Sequence, residues 1–162
     1  MTLLFLRHAL AEERHNGVDH PDRRLTNIGI RQARAMGSFA QRQTLGVQAI
    51  LSSPYRRARE TADHFASRLE KPPSIEIVPW LEIYTASEST VAEILTITRA
   101  GCITVLVGHE PDFSLIIGLL LGMKPAAIKI RKASLTYLTC VNPEMRQFQL
   151  KWSITPDLLQ SK

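Results

Sequence analysis

Cysteine is nearly absent from this chain, which has only two among its 162 residues. Cys102 and Cys140 lie in separate apolar runs, without the CxxC spacing of zinc and redox motifs. This scarcity excludes a disulfide framework, and a domain of this length buries enough surface to fold without one. We expect both residues to be buried, reduced thiols, in keeping with a reducing compartment such as the cytoplasm.

The chain also lacks a long hydrophobic run. Its longest apolar stretch, residues 113–123, is shorter than the roughly 20 residues that a membrane-spanning helix needs. The first residues, MTLLFLRHA, have neither the basic segment nor the extended apolar core of a secretory signal. We therefore expect a cytoplasmic protein with no membrane partner.

Acidic residues are the minority among the charged ones. Fifteen Asp and Glu face 20 Lys and Arg, which gives a formal net charge of +5 and a pI near 9.6. Such an excess favours anionic partners. However, Arg23-Arg24 and Arg56-Arg57 are only pairs, and no nucleic-acid-binding motif accompanies them. We predict no nucleic-acid partner, and the sequence leaves the oligomeric state open.

Apolar runs of strand length alternate with segments of helical pattern along the chain. Strands are predicted at residues 2–6, 48–52, 75–78, 102–107, 127–132, 135–141 and 147–154. Helices are predicted at residues 26–44, from Ser53 to before Pro72, at 87–100 and at 112–121. This alternation predicts a single-domain α/β fold over residues 1–162, a three-layer α/β/α sandwich with a mostly parallel central sheet.

Three of the predicted strands end in a polar cluster. The first is followed by Arg7 and His8, the second by SSP at residues 52–54 and then Arg57, and the third by GHEP at residues 108–111. Ligands of α/β sheets bind beyond the carboxyl ends of the strands. If these strands are parallel neighbours, two histidines and two arginines converge on one point.

This set of residues suits phosphoryl transfer. Guanidinium groups match the charged oxygens of a phosphoryl group, and a neutral imidazole is a competent nucleophile towards phosphorus. The clusters contain no cysteine, and no carboxylate or histidine set has metal-ligand spacing. We predict that neither a metal nor another cofactor is needed.

Four segments resemble the signatures of the histidine phosphatase superfamily, which is also called phosphoglycerate mutase-like. They are LRHA at residues 6–9, LTNIGIRQA at 25–33, SSPYRRARET at 52–61 and VGHEP at 107–111, in the order of the family. The short chain and the RHA variant resemble most closely the SixA-type phosphohistidine phosphatases.

The resemblance implies a role for each matching residue. His8 would be the phosphorylated nucleophile, and Arg7, Arg57 and His109 would bind the phosphate group with it. Glu82, which follows the third strand, would be the general acid.

Other polar residues near the motifs have ordinary explanations. Arg57 is preferred to Arg56 as the motif arginine, because Arg56 has Glu60 four residues later as a helix-surface partner. Ser52 and Ser53 are interpreted as cap and turn residues. No motif includes His15, His20 or His64, which are interpreted as surface residues.

The resemblance implies a phosphatase that forms a phosphohistidine intermediate and acts on phosphohistidine in a protein. Two alternatives stay open. One is a phosphatase for small phosphate esters or nucleotides, and the other is a catalytically weak module that binds phosphorylated ligands.

Overall fold

The first strand, β1 (Thr2–Arg7), is apolar on both faces because it lies inside the sheet, with helices on either side. Leu3 and Phe5 belong to one core cluster, while Leu4 and Leu6 belong to another. All four side chains are fully buried. The two faces of β1 therefore contribute to two separate layers of the apolar core.

The computed structural model describes residues 1–86, 88–98, 101–124, 127–142, 144 and 147–159. The further strands are β2 (Ala49–Ser52), β3 (Ile75–Ile77), β4 (Ile103–Gly108), β5 (Leu135–Asn142) and β6 (Gln147–Ile154). The α-helices are α1 (Asn27–Arg42), α2 (Arg56–Ala66), α3 (Glu88–Ile97) and α4 (Asp112–Leu121), with short 3-10 helices at Pro79–Leu81 and Pro156–Leu159.

The strands form one sheet in the order β3-β2-β4-β1-β5-β6. The first four are parallel, whereas β5 pairs antiparallel with β1, and β6 antiparallel with β5. Helices α1 and α2 pack on the face that carries Leu4 and Leu6, and α3 and α4 pack on the opposite face. The predicted three-layer sandwich with a mostly parallel sheet is confirmed.

Two helix ends follow from local chemistry that the sequence displays. The Thr26 hydroxyl caps α1 by accepting a hydrogen bond from the Gly29 amide at 3.1 Å. Helix α4 ends where Gly122 takes a left-handed conformation, with φ of 63°. The sequence predicts the end of α4 near Gly122, and it allows either Thr26 or Asn27 as the cap of α1.

The predicted strand at residues 127–132 is wrong. The amide of Ile130 donates to the Glu110 carboxylate at 2.7 Å, and its carbonyl accepts from Arg7 Nη1 at 2.7 Å. Because side chains satisfy both backbone groups, this segment needs no neighbouring strand.

Three further predictions either differ from the structure or fall partly outside the described residues. Helix α2 begins at Arg56 rather than after a Ser53 cap, because Tyr55 occupies the cap position and the Ser53 hydroxyl lies against His109. Helix α3 is shorter than predicted, and residues 87, 99 and 100 lie outside the described residues. The sequence also predicts an Asn142-Pro143 turn between the last two strands, and residue 143 lies outside the described residues.

Two expectations about the surface can be compared with the structure. Cys102 and Cys140 are unpaired thiols, but both are half-buried rather than fully buried. Among the described residues, no helix combines the length and apolar character that crossing a membrane requires.

Replacing Gly37 with alanine is expected to destabilise the fold by about 3 kcal/mol. A Cβ at this position of α1 would overlap the carbonyl oxygen of Phe65 and lie 2.9 Å from Cβ of Arg68. Gly118→Ala in α4 is the matched control, since its Cβ meets only an ordinary contact. Urea unfolding measures both variants, and equal stabilities would contradict the close packing of α1 on α2.

Candidate active site

The carboxyl ends of three parallel strands bring the predicted polar clusters together. The His8 amide donates to the Gly108 carbonyl at 2.9 Å, and the Ser53 amide donates to the Val107 carbonyl at 2.9 Å. These bonds continue the pairing of β1 and β2 with β4, which lies between them. The segments after the three strands therefore start side by side.

A cavity of about 520 Å³ lies at this edge of the sheet. Its lining includes three of the predicted site residues, Arg7, His8 and Arg57. His109 is buried beside it, with its ring centroid 5.2 Å from that of His8. The structure thus brings together four of the five predicted site residues.

Glu82 is the exception. The neighbouring Ile83 lines the cavity, but Glu82 does not, and its side chain is only partly buried. The carboxylates that do line the cavity are Glu12, Glu13, Asp19 and Glu110. Glu82 is therefore not among the cavity-lining residues, and its role as an acid stays a prediction.

The hydrogen bond of His8 determines its tautomer. Nδ1 lies 2.8 Å from the carbonyl oxygen of Ala9, which can only accept a hydrogen bond. In the neutral ring Nδ1 therefore carries the proton, and the lone pair is on Nε2. This leaves Nε2 as the nucleophilic atom of His8.

The surroundings of His8 keep its ring neutral. Burial lowers its pKa well below the usual 6.5, and nearby His109, Arg57 and Arg7 lower it further, against the opposing effect of the Ala9 carbonyl. A neutral imidazole at physiological pH can attack phosphorus, whereas an imidazolium cannot.

His109 is held by the serine that was predicted to cap a helix. Its Nε2 lies 2.8 Å from the Ser53 hydroxyl, which also accepts from the Tyr55 amide at 3.3 Å. Burial, followed by the charge of Arg57, lowers the His109 pKa to about 3. The ring proton of His109 is on Nδ1 when the Ser53 hydroxyl donates to Nε2, and on Nε2 when the ring donates to that hydroxyl.

The two arginines are fixed by different partners. Arg7 donates from Nη1 to the Ile130 carbonyl, while buried Arg57 donates from Nη2 to Asp19 Oδ2 at 2.9 Å. The Arg57 guanidinium also lies 4.8 Å from the centre of the Tyr55 ring. Both guanidinium groups therefore have a defined orientation before any ligand binds.

Three buried side-chain nitrogens have no hydrogen-bond partner among the described residues: Arg7 Nε, Arg57 Nε and His109 Nδ1. All three belong to residues predicted to bind phosphate. Buried donors without a partner cost free energy, so their concentration at one place indicates a site for an acceptor-rich ligand. Phosphate oxygens are such acceptors, and they match guanidinium donors in charge.

Sequence reasoning missed Asp19, which connects three arginines at the cavity. Its carboxylate accepts from Arg57 and Arg23 and lies 3.9 Å from Arg14. Arg14 and Arg23 also line the cavity. The only sequence signal was the density of charge in the loop after β1, which does not reveal the pairing.

Except for Ser53, the residues predicted to be structural behave as expected. Arg56 pairs with Glu60 at 2.7 Å, and Ser52 donates its hydroxyl to the Ser53 carbonyl. His15 and His20 are exposed, and His64 is half-buried.

No group of three or more His, Cys, Asp and Glu side chains in the described ranges is arranged to hold a metal ion. Independence from metals stays a prediction, to be tested by chelation.

Comparison with known proteins determines the family. A sequence model of the histidine phosphatase superfamily (branch 1) matches residues 3–82. An uncharacterized protein of Picosynechococcus is 31% identical over 124 residues, which cover 69% of this chain and 68% of that protein. The chain belongs to the histidine phosphatase superfamily.

Solved structures of other phosphatases share the fold. The protein histidine phosphatase SixA complexed with tungstate is 22% identical, with a TM-score of 0.87 over 99% of this chain and 100% of SixA. A mycobacterial glucosyl-3-phosphoglycerate phosphatase is 18% identical, with a TM-score of 0.71 over 93% of this chain and 96% of its own. The fold is thus common to enzymes named for different substrates.

The imidazoles of His8 and His109 should remain neutral at pH 6. The pKa values of His8 and His109 are both lowered from about 6.5, so the unfolded chain binds more protons than the folded one in mild acid. Their contribution to stability is complete above pH 6.5 and is lost as the pH falls towards 3. NMR titration of the ring nitrogens checks this, and protonation of either ring near pH 6.5 would contradict it.

Proposed function

We propose that this histidine phosphatase hydrolyses phosphohistidine in a protein, with His8 as its nucleophile. The observation that carries the proposal is the neutral His8 ring, which has its lone pair on Nε2 in a site that holds two buried arginine Nε donors without partners among the described residues. A nucleophile next to donors for the phosphoryl oxygens is the arrangement that phosphoryl transfer needs.

The reaction has two steps. Nε2 of His8 attacks phosphorus, the bond from phosphorus to the substrate nitrogen breaks, and the leaving imidazole takes up a proton. Water then attacks the phosphoryl group on His8, which releases inorganic phosphate and regenerates the ring. One water is consumed for each phosphoryl group, and no oxidant or reductant takes part.

Arg7, Arg57 and His109 stabilise the charge on the transferred group in both steps. Their unpaired nitrogens are buried, and the side chains are already oriented by Ile130, Asp19 and Ser53. Donors that need no reorganisation during reaction contribute most to the rate.

The leaving group supports the choice of substrate. A phosphohistidine whose other ring nitrogen is protonated leaves as neutral imidazole, whose conjugate acid has a pKa near 6.5, whereas a sugar alkoxide is far more basic and needs a strong acid in order to leave. In the cavity, the Asp19 carboxylate accepts from arginines, and the Glu110 carboxylate accepts from Ser114 and Ile130. Asp19 and Glu110, held as acceptors, are therefore poor proton donors, and the two other carboxylates of the lining, Glu12 and Glu13, are exposed. This lining favours a substrate whose departure needs little acid.

The experiment compares kcat/KM for a histidine-phosphorylated protein with that for small esters such as p-nitrophenyl phosphate. We expect the phosphohistidine substrate to be preferred. If a small ester is preferred by about an order of magnitude, the alternative of a general phosphatase replaces this proposal.

Glu82→Gln tests the acid that the family resemblance implies. Because Glu82 lies outside the cavity lining, we expect less than about a threefold change in phosphohistidine hydrolysis, and a larger loss for esters if it donates a proton. Glu76→Gln on β3, which is exposed, is the control. Equal abolition of both reactions by Glu82→Gln would contradict the assignment of phosphohistidine as substrate.

A further inference from the structure

A second concave surface adjoins the phosphate cavity. This basic groove has a volume of about 300 Å³ and is lined by Arg7, Lys129, Arg131 and Lys132, with Asp157 as the one carboxylate that the described residues contribute. Arg7 and Lys132 also line the phosphate cavity, so the two surfaces are continuous. Of these cations, the mechanism proposed above uses only Arg7.

Charge distinguishes the groove from the cavity. Four cations face one carboxylate in the groove, whereas the cations of the phosphate cavity are nearly balanced by its four carboxylates. Partial burial lowers the pKa of Lys132, and the charges of Arg7, Arg23 and Arg14 lower it further. Lys132 therefore lies in a field of positive potential, which attracts anionic groups.

The backbone that carries these cations is fastened to the catalytic strand. The Ile130 carbonyl accepts from Arg7, and the Ala133 amide donates to the His8 carbonyl at 3.2 Å. The Arg131 carbonyl accepts from both the amide and the hydroxyl of Ser134, which closes a tight turn. The base of each cationic side chain is thus fixed relative to His8, and a fixed binding surface loses less entropy when a partner docks.

We propose that the basic groove binds an acidic surface of the protein whose phosphohistidine enters the phosphate cavity. This inference rests on the proposed function and adds the partner's charge to it. Carboxylates that flank the phosphohistidine would meet Lys129, Arg131 and Lys132 while the phosphoryl group reaches His8.

The exposure of the groove favours a protein surface over a small anion. Lys129, Arg131 and Lys132 are all exposed, so each offers a screened contact of modest strength. Several such contacts spread over a docking surface determine association and partner choice, whereas a small anion needs buried, convergent donors.

The test uses two double variants with the same change in net charge. Lys129→Gln/Arg131→Gln removes two groove cations. The control, Arg68→Gln/Lys71→Gln, removes two exposed cations that precede β3, the outer strand farthest from β6. Arg7 and Lys132 are left intact because they also line the phosphate cavity. The substrates are a histidine-phosphorylated domain with Asp and Glu around its histidine, the same domain with those carboxylates changed to amides, and p-nitrophenyl phosphate.

We expect the groove variant to raise KM for the acidic domain about tenfold, with kcat unchanged. With the amide version of the domain as substrate, the groove variant and the wild type should have the same KM. The groove variant should also turn over p-nitrophenyl phosphate as the wild type does. An equal change in both double variants, or no change in the groove variant, would overturn the proposal.

Binding of the unphosphorylated acidic domain, measured by calorimetry at low salt, separates this inference from the proposed function. Binding that weakens only in the groove variant supports the groove even if phosphohistidine is not hydrolysed. Equal binding of the domain by the wild type and both double variants refutes the role of the groove, even if phosphohistidine is the substrate.

Discussion

Replacing His8 with alanine is expected to reduce turnover of p-nitrophenyl phosphate and of phosphohistidine by about 10⁴-fold or more. The variant loses the atom that attacks phosphorus, and the remaining donors can only bind the substrate. Because His8 is buried among polar groups rather than in the main apolar clusters, the fold should persist. Steady-state kinetics and circular dichroism measure the two effects.

His64→Ala is the matched control, since His64 lies on α2, outside the cavity lining. It should leave turnover unchanged. Rapid quenching of the wild type with labelled substrate provides a second readout, because a phosphoryl group on nitrogen is labile in acid and persists in alkali. Peptide mapping should locate the label on His8, and label on Ser52 or Ser53 would contradict the mechanism.

Replacing Arg57 with alanine should cost far more activity than the same change at Arg56. Removing a charge-assisted contact to the transition state commonly costs roughly 3 kcal/mol, or about a hundredfold in rate. Arg56 only pairs with Glu60 at the helix surface, where an ion pair contributes about 0–1 kcal/mol. The two variants differ by one position on the same helix turn and remove the same charge.

Arg57 also neutralises Asp19, so its loss affects the fold as well as the site. Thermal unfolding of both variants, together with Arg57→Lys, separates these effects. Arg57→Lys keeps the charge but loses the planar fork, and its activity should fall between those of wild type and Arg57→Ala. Equal activities of Arg56→Ala and Arg57→Ala would mean that the motif arginine is misassigned.

The strands and helices that the sequence predicts well are those whose pattern is local. β1 and β4 are short apolar runs, and α1 and α4 have a cap or a terminal glycine within their own segments. The segment at residues 127–132 has a strand-like composition, but Ile130 is bound by side chains 20 and 123 residues away in sequence. A local pattern does not contain these partners.

The candidate site, too, is predictable from the sequence only where its signals are local. The convergence of His8, Arg57 and His109 follows from parallel strands whose ends carry polar residues, and the sequence displays those ends. Asp19 lies in an irregular loop, whose path depends on contacts such as the isolated bridge between Ala11 and Leu25. Its contact with Arg57 becomes visible only when that loop is folded.

The ion pair between Asp19 and Arg57 gives the free enzyme an anion of its own. A phosphoryl group that binds Arg57 must share the guanidinium with this carboxylate, and the repulsion between the two weakens the binding of substrate and of inorganic phosphate alike. Weakening the ground states equally raises KM without slowing the chemical step. We therefore expect the internal carboxylate to limit product inhibition, since Asp19 competes with inorganic phosphate for the Arg57 guanidinium.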